Sequence, residues 1–363
     1  MRQTHRRVTS LDTVRGILLA SNILIIAMFA PRPDQLVHAS WSGVTAIDLI
    51  FPLFVTFSGI GLAFANRNGV DWRRMLRRSV LLVLIGLAYT AAMTGSTDPA
   101  TLRFTGPLQL YAVLVLVIGG LHGFLRKPLH WALATIALAA VMTFFLAAWQ
   151  SGCPNTVLTP ECNPSRAIDL TLLGADHAYL HGELGHDTEG LIGILGATIT
   201  ALVGTTAGHL ALAHRGSWRA PAAITVWATL VIGLAWAAAS YVPTMKRLWT
   251  APFGLGVGAL GVITFAIGIA VMDLRAPRAW ERVRGPLSWP LVAMGRNSLL
   301  VYFGGHLLMR ILATNGEERT WIETLAERVD VIGNAEVSFM TLMLGTWLVI
   351  TALLHRQRIY LRP

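Results

Sequence analysis

Charged residues are scarce in this sequence, and their scarcity excludes most soluble folds. Only 13% of the 363 residues are Asp, Glu, Lys or Arg, and the mean hydropathy is +0.57. An average soluble domain has about 25% charged residues. Apolar runs near the ~20 residues that cross a bilayer recur along the whole chain, and in lipid such runs must be helical to satisfy their backbone hydrogen bonds. The composition therefore predicts an all-α polytopic membrane protein.

About ten transmembrane helices in one bundle are predicted, with both termini in the cytoplasm. When the loops alternate sides, 19 of the 29 Lys and Arg residues fall on the side of the termini and 8 on the other. Basic loops stay in the cytoplasm, so the net charge of +10 reflects topology and not nucleic-acid binding. We expect a single transmembrane domain over residues 1–363. The predicted spans are 12–30, 45–66, 76–94, 105–124, 129–149, 188–213, 219–240, 249–273, 289–312 and 335–354.

Cysteine is also scarce, which excludes a disulfide-rich extracellular fold. The two cysteines, Cys153 and Cys162, both fall in the longest predicted outside loop, 150–187. Because the space outside the membrane is oxidising, a disulfide is predicted, with two free thiols as the alternative. Closing so short a loop stabilises it by roughly 2–3 kcal/mol.

Two ionisable residues near the start of the second span are the strongest candidates for a functional site. Asp48 lies about one turn into that span, and His38 precedes it by ten residues. An ionisable side chain in a span costs about 2.5–3.5 kcal/mol, so it needs an explanation. A carboxylate that orients an imidazole makes a competent general base. The alternatives are a structural helix cap for Asp48, although Thr45 is better placed for that role, and an ordinary loop residue for His38.

Other polar residues predict a polar cavity lined by several spans. Trp41 is either a substrate contact or an interfacial anchor, and Glu189 either lines the cavity or caps the start of span six. The remaining candidates for substrate binding are Gln109, His177, Arg296, Asn297 and His306.

A histidine-rich loop raises the question of a metal site. His177, His181 and His186 stand four and five residues apart among acidic residues, but this spacing matches no established ligand pattern. We therefore predict no metal and interpret the loop as polar lining of a cavity mouth or as plain loop.

Several motifs resemble one family of membrane enzymes. The segment HASWSGVTAIDLIFPLFVTFSG, which begins at His38, closely resembles the signature of the heparan-α-glucosaminide N-acetyltransferase catalytic family, His-Ala-x-Trp-x-Gly-x-Thr-x-x-Asp-Leu-x-Phe-Pro. Further matches follow the family's order from residue 10 to about 306. They are SLDTVRGI, RFTGPLQ, the cysteine pair, LLGADHAYLH, HDTEGLIGIL and GRNSLLVYFGGH.

The resemblance implies a transmembrane acyltransferase that takes acetyl-CoA from the cytoplasmic side and acetylates an amino sugar on the far side. The family's catalytic histidine falls on His38 and its acidic partner on Asp48. The family has an asparagine late in span one where this chain has Ile26, and Asn22, one turn earlier, is taken as its substitute. Relatives also imply a homodimer.

The composition alone leaves other classes open. Buried polar groups in a ten-span protein also fit a transporter for a small polar or sugar substrate, or a glycolipid scaffold or flippase component without catalysis. Arginine outnumbers lysine by 27 to 2, which suits a GC-rich bacterial gene. We therefore expect a bacterial plasma-membrane protein whose acceptor is a glucosamine-containing glycan or glycolipid other than heparan sulfate.

Overall fold

A computed structural model describes residues 8–314, 320–330 and 333–361. Within these residues there is no β-strand, and one isolated bridge pairs Gly43 with Met245. The α-helices are α1 (Thr9–Ile26), α2 (Ile50–Ala65), α3 (Trp72–Thr94), α4 (Pro107–His122), α5 (Pro128–Ser151), α6 (Leu170–Leu173), α7 (Leu191–Ala213), α8 (Arg219–Ala239), α9 (Ala251–Gly268), α10 (Arg278–Arg296), α11 (Ser298–Leu312), α12 (Trp321–Arg328) and α13 (Ala335–Arg356).

The described residues contain eight helices that are long and apolar enough to cross a membrane, which confirms the all-helical membrane class. They are Thr9–Ile26, Ala46–Ala65, Trp72–Thr94, Pro128–Ser151, Leu191–Ala213, Arg219–Ala239, Ala251–Asp273 and Ala335–Arg356. Two shorter apolar helices, Pro107–His122 and Ser298–Leu312, lie where spans four and nine are predicted. The count of ten spans and the side of the termini stay predictions.

Predicted span nine, 289–312, is divided in the structure. Helix α10 ends at Arg296 and α11 begins at Ser298, so that Asn297 lies between them. The backbone N–H of Asn297 donates to the carbonyl of Met294, three residues earlier, and its side-chain amide donates to the carbonyl of Ala293 at 3.2 Å. In a continuous helix the backbone N–H of Asn297 would donate to the carbonyl of Ala293, four residues earlier. The side chain of Asn297 occupies that carbonyl instead, and the helix is interrupted.

The chain forms two compact units. The first comprises the described parts of residues 1–36 and 267–362, where α1 packs against α10, α11 and α13. The second comprises residues 37–266, where α7 packs against α2, α4, α5 and α8, and α3 packs against α4. The expectation of a single domain over the whole chain stays a prediction.

Small residues let α2 and α7 approach each other closely in the second unit. A Cβ atom added at Gly204 would lie 2.1 Å from the carbonyl oxygen of Thr56, and one added at Gly59 would lie 2.1 Å from that of Ala201. The hydroxyl of Thr205 donates to the carbonyl of Gly59 at 3.2 Å. Close backbone contact of this kind is how membrane helices associate where no hydrophobic effect drives them together. It fixes α2, whose N-terminal end follows Asp48.

Because Gly204 faces a backbone carbonyl, we expect Gly204→Ala to separate α2 from α7 and to destabilise the protein by about 1–3 kcal/mol. Gly233→Ala on α8 is the matched control, since a Cβ there meets no atom within 4 Å. Replacing a helical glycine by alanine at such a site normally stabilises by about 0.5–1 kcal/mol. Thermal unfolding in detergent measures both variants. Equal melting temperatures for the two would contradict the close packing.

Candidate active site

Asp48 uses its two carboxylate oxygens for two different purposes. Oδ1 accepts a hydrogen bond from Nδ1 of His38 at 2.6 Å. Oδ2 accepts from the backbone N–H of Ala39 at 3.3 Å, and from both the backbone N–H and the hydroxyl of Thr45, at 3.1 and 3.0 Å. The second set closes the 3₁₀ turn that precedes α2. Thr45 is the N-cap of this turn and Asp48 is the N3 residue of its capping box, so the same carboxylate takes part in the cap and in the bond to His38.

This hydrogen bond defines the tautomer of His38. An ionised carboxylate only accepts hydrogen bonds, so Nδ1 of His38 carries the proton that it donates to Asp48. In the neutral ring Nε2 is then unprotonated and able to act as a base. The side chain of His38 is 47% exposed, whereas that of Asp48 is fully buried. The pair therefore combines a buried anion with an accessible base.

A lysine completes this group of charges. Nζ of Lys246 lies 3.5 Å from Oδ1 of Asp48 and 3.4 Å from Nδ1 of His38, and its side chain is 12% exposed. Burial lowers the pKa of the Lys246 ammonium, and the carboxylates of Glu189 and Asp48 oppose this shift. No sequence motif indicated a role for this residue, although it is one of only two lysines in the chain.

The segment that carries Lys246 is joined to the segment that carries His38. Gly43 pairs with Met245 in the isolated bridge, and Nε of Arg247 donates to the carbonyl of Ala39 at 2.9 Å. Gly43 has a φ of +89°, a backbone conformation that residues with a Cβ rarely adopt. These contacts hold the lysine beside the histidine across more than 200 residues of sequence.

Trp41 lies between the His38 segment and the loop closed by the disulfide. Its indole N–H donates to the carbonyl of Leu158 at 2.8 Å, and its ring meets the edge of His186 with 5.3 Å between centroids. Leu158 lies between Cys153 and Cys162, which are bonded to each other in the structure. Because its only N–H is already used, Trp41 can offer a substrate the face or edge of its ring but no hydrogen bond.

A second ionic group joins the surrounding loops. Nη2 of Arg103 donates to Oδ1 of Asp187 at 2.8 Å and to Oε2 of Glu189 at 2.5 Å. Oδ2 of Asp187 accepts from the hydroxyl of Thr105 at 2.6 Å and from the backbone N–H of Tyr179 at 2.9 Å. Burial alone would lower the pKa of Arg103, but the two carboxylates outweigh it and raise the pKa. The guanidinium therefore stays charged and holds Glu189 in place.

Glu189 belongs to the ionic group, while another residue caps α7. The backbone N–H of Leu191, the first residue of α7, donates to Oδ1 of Asp169 at 2.9 Å. Glu189 bonds Arg103 and is close enough to Lys246 to influence its ionisation. It thus connects the Arg103 group with the His38–Asp48–Lys246 group.

The structure places Gln109 and His177 in supporting positions within the same unit. The amide of Gln109 lies against Gly86 and Gly106, and its Nε2 is buried without a hydrogen-bond partner among the described residues. The ring of His177 stacks on Phe104 with 4.1 Å between centroids, and its Nδ1 bonds the carbonyl of Leu102 at 2.9 Å. His177 therefore supports the segment that presents Arg103.

The histidines of the loop do not come together. His181 is exposed and bonds the carbonyl of Asp176, whereas His186 is buried and bonds that of Leu184. Burial lowers the pKa of His186, which favours its neutral form. Within the part of the chain that the structure describes, no three His, Cys, Asp or Glu side chains are grouped as a metal ion would require.

Four predicted site residues lie in the other unit: Asn22, Arg296, Asn297 and His306. Asn22 is buried on α1, and its Nδ2 has no hydrogen-bond partner among the described residues. The guanidinium of Arg296 lies 3.5 Å from the centre of the Tyr360 ring, and Nδ1 of His306 bonds the carbonyl of Tyr302 at 2.8 Å. Their roles in catalysis or binding stay predictions.

The buried cap of α7 predicts a pH-dependent stability. Burial raises the pKa of Asp169 to about 6 from 3.8, against the opposing bonds from Ser165 and Leu191. The folded protein then binds a proton at Asp169 more tightly than the unfolded chain does, so protonation of Asp169 stabilises the folded state. This stabilisation is complete below about pH 4 and is lost as the pH rises through 6. Its size is on the order of 2–3 kcal/mol.

We therefore expect Asp169→Asn to flatten the change in melting temperature between pH 4.5 and pH 7, since the titrating group is gone. Asp176→Asn, the same change at an exposed loop position, serves as the control. Parallel curves for the Asp169 variant and the wild type would contradict the assignment.

Two comparisons with known proteins support the resemblance seen in the motifs. Residues 7–170 match the family model "Heparan-alpha-glucosaminide N-acetyltransferase, catalytic". The chain is 26% identical to the human heparan-alpha-glucosaminide N-acetyltransferase over 358 residues, which covers 82% of this chain and 52% of the human protein. It is 25% identical to the mouse protein over 369 residues, covering 85% of this chain and 54% of that protein.

The chain thus spans about half the length of the curated relatives that it matches. The matched family segment includes the loop of His38 and Asp48, Arg103 and both cysteines, whereas Lys246 lies beyond it. Both comparisons confirm the predicted resemblance: the chain is similar to the heparan-alpha-glucosaminide N-acetyltransferase catalytic family over residues 7–170, and to two proteins of that name over most of its length.

Proposed function

We propose that this protein is a membrane acetyltransferase that transfers an acetyl group from acetyl-CoA to the amino group of a glucosamine-type sugar. The observation that carries the proposal is the 2.6 Å bond between His38 and Asp48, which leaves Nε2 of an accessible histidine as a base. The similarity to N-acetyltransferases supplies the reaction class. Amine acylation needs such a base, because the attacking nitrogen must lose a proton.

In the direct route, Nε2 of His38 removes a proton from the acceptor amine as the amine nitrogen bonds to the thioester carbonyl carbon. The carbon–sulfur bond then breaks, and the departing CoA thiolate takes the proton back from His38. In the two-step route, Nε2 itself bonds to the acetyl carbon as the carbon–sulfur bond breaks and the CoA thiolate leaves. The amine nitrogen then displaces Nε2 from that carbon, and the proton that the amine loses goes to the thiolate. Both routes use the same nitrogen and give the amide and free CoA.

Asp48 has the same task in either route. Its Oδ1 holds the Nδ1–H of His38 and so directs Nε2 toward the substrates. When His38 becomes positively charged, the buried carboxylate stabilises that charge. The three further donors on Oδ2 keep the carboxylate in one orientation, so that the imidazole does not have to be aligned during the reaction.

A basic segment at the other end of α2 is suited to the phosphates of the acyl donor. Arg73, Arg74 and Arg77 are exposed in the first two turns of α3, which follows α2, and Asp48 lies in the 3₁₀ turn just before α2. Helix α2 has 16 residues and is about 24 Å long, and it separates these arginines from the His38–Asp48 pair. We infer that these arginines attract the CoA phosphates by charge.

The test is transfer of label from radiolabelled acetyl-CoA to a simple glucosamine glycoside by purified protein in detergent. Because the base is lost, we expect His38→Asn to lower the rate at least ~100-fold. His181→Asn, the same change at an exposed loop histidine, is the control and keeps full activity. Unchanged melting temperatures show that both variants are folded.

The outcomes separate the possible readings of the protein. Labelled sugar with the wild type and the control variant, but not with His38→Asn, supports both the reaction and the base. Release of CoA without labelled sugar indicates an acyltransferase with another acceptor. If folded wild-type protein neither binds nor consumes acetyl-CoA, the enzyme proposal is wrong and transport across vesicles becomes the assay.

A further inference from the structure

The proposed reaction accounts for His38 and Asp48 but leaves the nearby lysine without a role. Lys246 is largely buried, and its Nζ is 3.5 Å from Asp48 and 3.4 Å from the ring nitrogen of His38. It reaches this position through the bridge at Met245 and the bond from Arg247 to Ala39. A largely buried cation beside a catalytic pair is costly unless the surrounding charges require it.

The approach of the lysine to the histidine is not a hydrogen bond. Nδ1 of His38 already donates its proton to Asp48 at 2.6 Å, so it has no lone pair left to accept from the ammonium. The two groups are close because each is attracted to the same oxygen, Oδ1 of Asp48. Lys246 and the charged form of His38 therefore compete for one anion.

Burial disfavours the charge on Lys246, and the acidic groups around it offset part of that cost. The carboxylates of Glu189 and Asp48 favour its protonated form, and burial and the nearby Arg247 oppose it. His186 lies near Arg247, Asp187 and Glu189, and burial lowers its pKa. With Asp48 ionised, Lys246 charged and His38 neutral, the central group has no net charge. A proton on His38 changes that balance to +1.

We propose that Lys246 is a positioning residue of this site, and that its ammonium shares Asp48 with His38 and so keeps the imidazole neutral and basic. This inference rests on the proposed function for its catalytic meaning. An aspartate stabilises the charged form of a neighbouring histidine, and a charged imidazole cannot accept a proton. A second cation within 4 Å of the ring makes the charged histidine less favourable. His38 then gains its proton only transiently, from the acceptor amine.

The test replaces the ammonium and then restores it in the same protein. The described chain has no free cysteine, since Cys153 and Cys162 are bonded, so Lys246→Cys introduces a single reactive thiol. Alkylation with 2-bromoethylamine rebuilds an ammonium at nearly the length of the lysine side chain. Lys127→Cys, at the other lysine, is the matched control because Lys127 is exposed before α5.

Two readouts are needed, and one of them does not require turnover. The first is the pH–rate profile of acetyl transfer. The second is the pH titration of the His38 ring followed by NMR of histidine-labelled protein, with its signal assigned by its absence in His38→Asn. We expect Lys246→Cys to move two features to higher pH by at least about one unit: the acid limb of the pH–rate profile and the midpoint of the His38 ring titration. Aminoethylation reverses the shift, and the Lys127 variant shows none.

Each outcome is decisive for the role of Lys246. A shift in the ring titration that aminoethylation reverses supports the proposal even if no sugar is acetylated, in which case the proposed function alone is wrong. Active protein with an unshifted ring titration overturns the proposal and leaves the function intact. A lower rate at every pH without a shift also overturns it, because a purely structural role predicts that result. Lys246→Gln, which keeps a polar group, repeats the test if the cysteine variant unfolds.

Discussion

The local structure of the candidate site depends on the hydrogen bonds to one buried carboxylate. Asp48 is almost completely buried at the start of an apolar helix, where an unpaired charge would be very costly. Its oxygens are satisfied by donors from His38, Ala39 and Thr45, and by the charge of Lys246. Because each donor comes from a loop, satisfying the carboxylate also determines the shape of that loop. The hydrogen bonds that offset the cost of burying Asp48 are therefore the same ones that orient His38.

A site built from loops needs support beyond its own hydrogen bonds, since loops are usually the mobile parts of a protein. Here the support is covalent and ionic. The loop closed by Cys153 and Cys162 accepts the indole of Trp41, and Arg103 joins the segment before α4 to the segment before α7. The helices α2 and α7 are held in direct backbone contact by glycines. The His38–Asp48 pair thus lies among loops that are joined to one another, at the end of a helix that packs closely against its neighbour.

Much of the fold could be predicted from the sequence, because apolar length is a local property. Most helices lie within a few residues of the predicted spans, except in span nine, and His38 and Asp48 could be paired because only ten residues separate them. Lys246 is 208 residues from His38, and no local pattern reveals a contact of that separation. The interruption at Asn297 could not be predicted, because it arises from a single hydrogen bond between the side-chain amide of Asn297 and the carbonyl of Ala293. Local patterns therefore identify the elements and the first pair, whereas the ionic neighbours require the folded chain.

The choice of a lysine as the basic residue beside Asp48 is itself informative in a chain with 27 arginines and two lysines. A guanidinium has a planar fork that binds a carboxylate through both oxygens at once. At position 246 it would compete with the three donors on Oδ2 and with His38 on Oδ1. An ammonium is a compact charge that approaches a single oxygen, and it leaves the bond to His38 in place. A lysine therefore suits a site where one carboxylate must serve a helix cap, a histidine and a cation together, and an arginine does not.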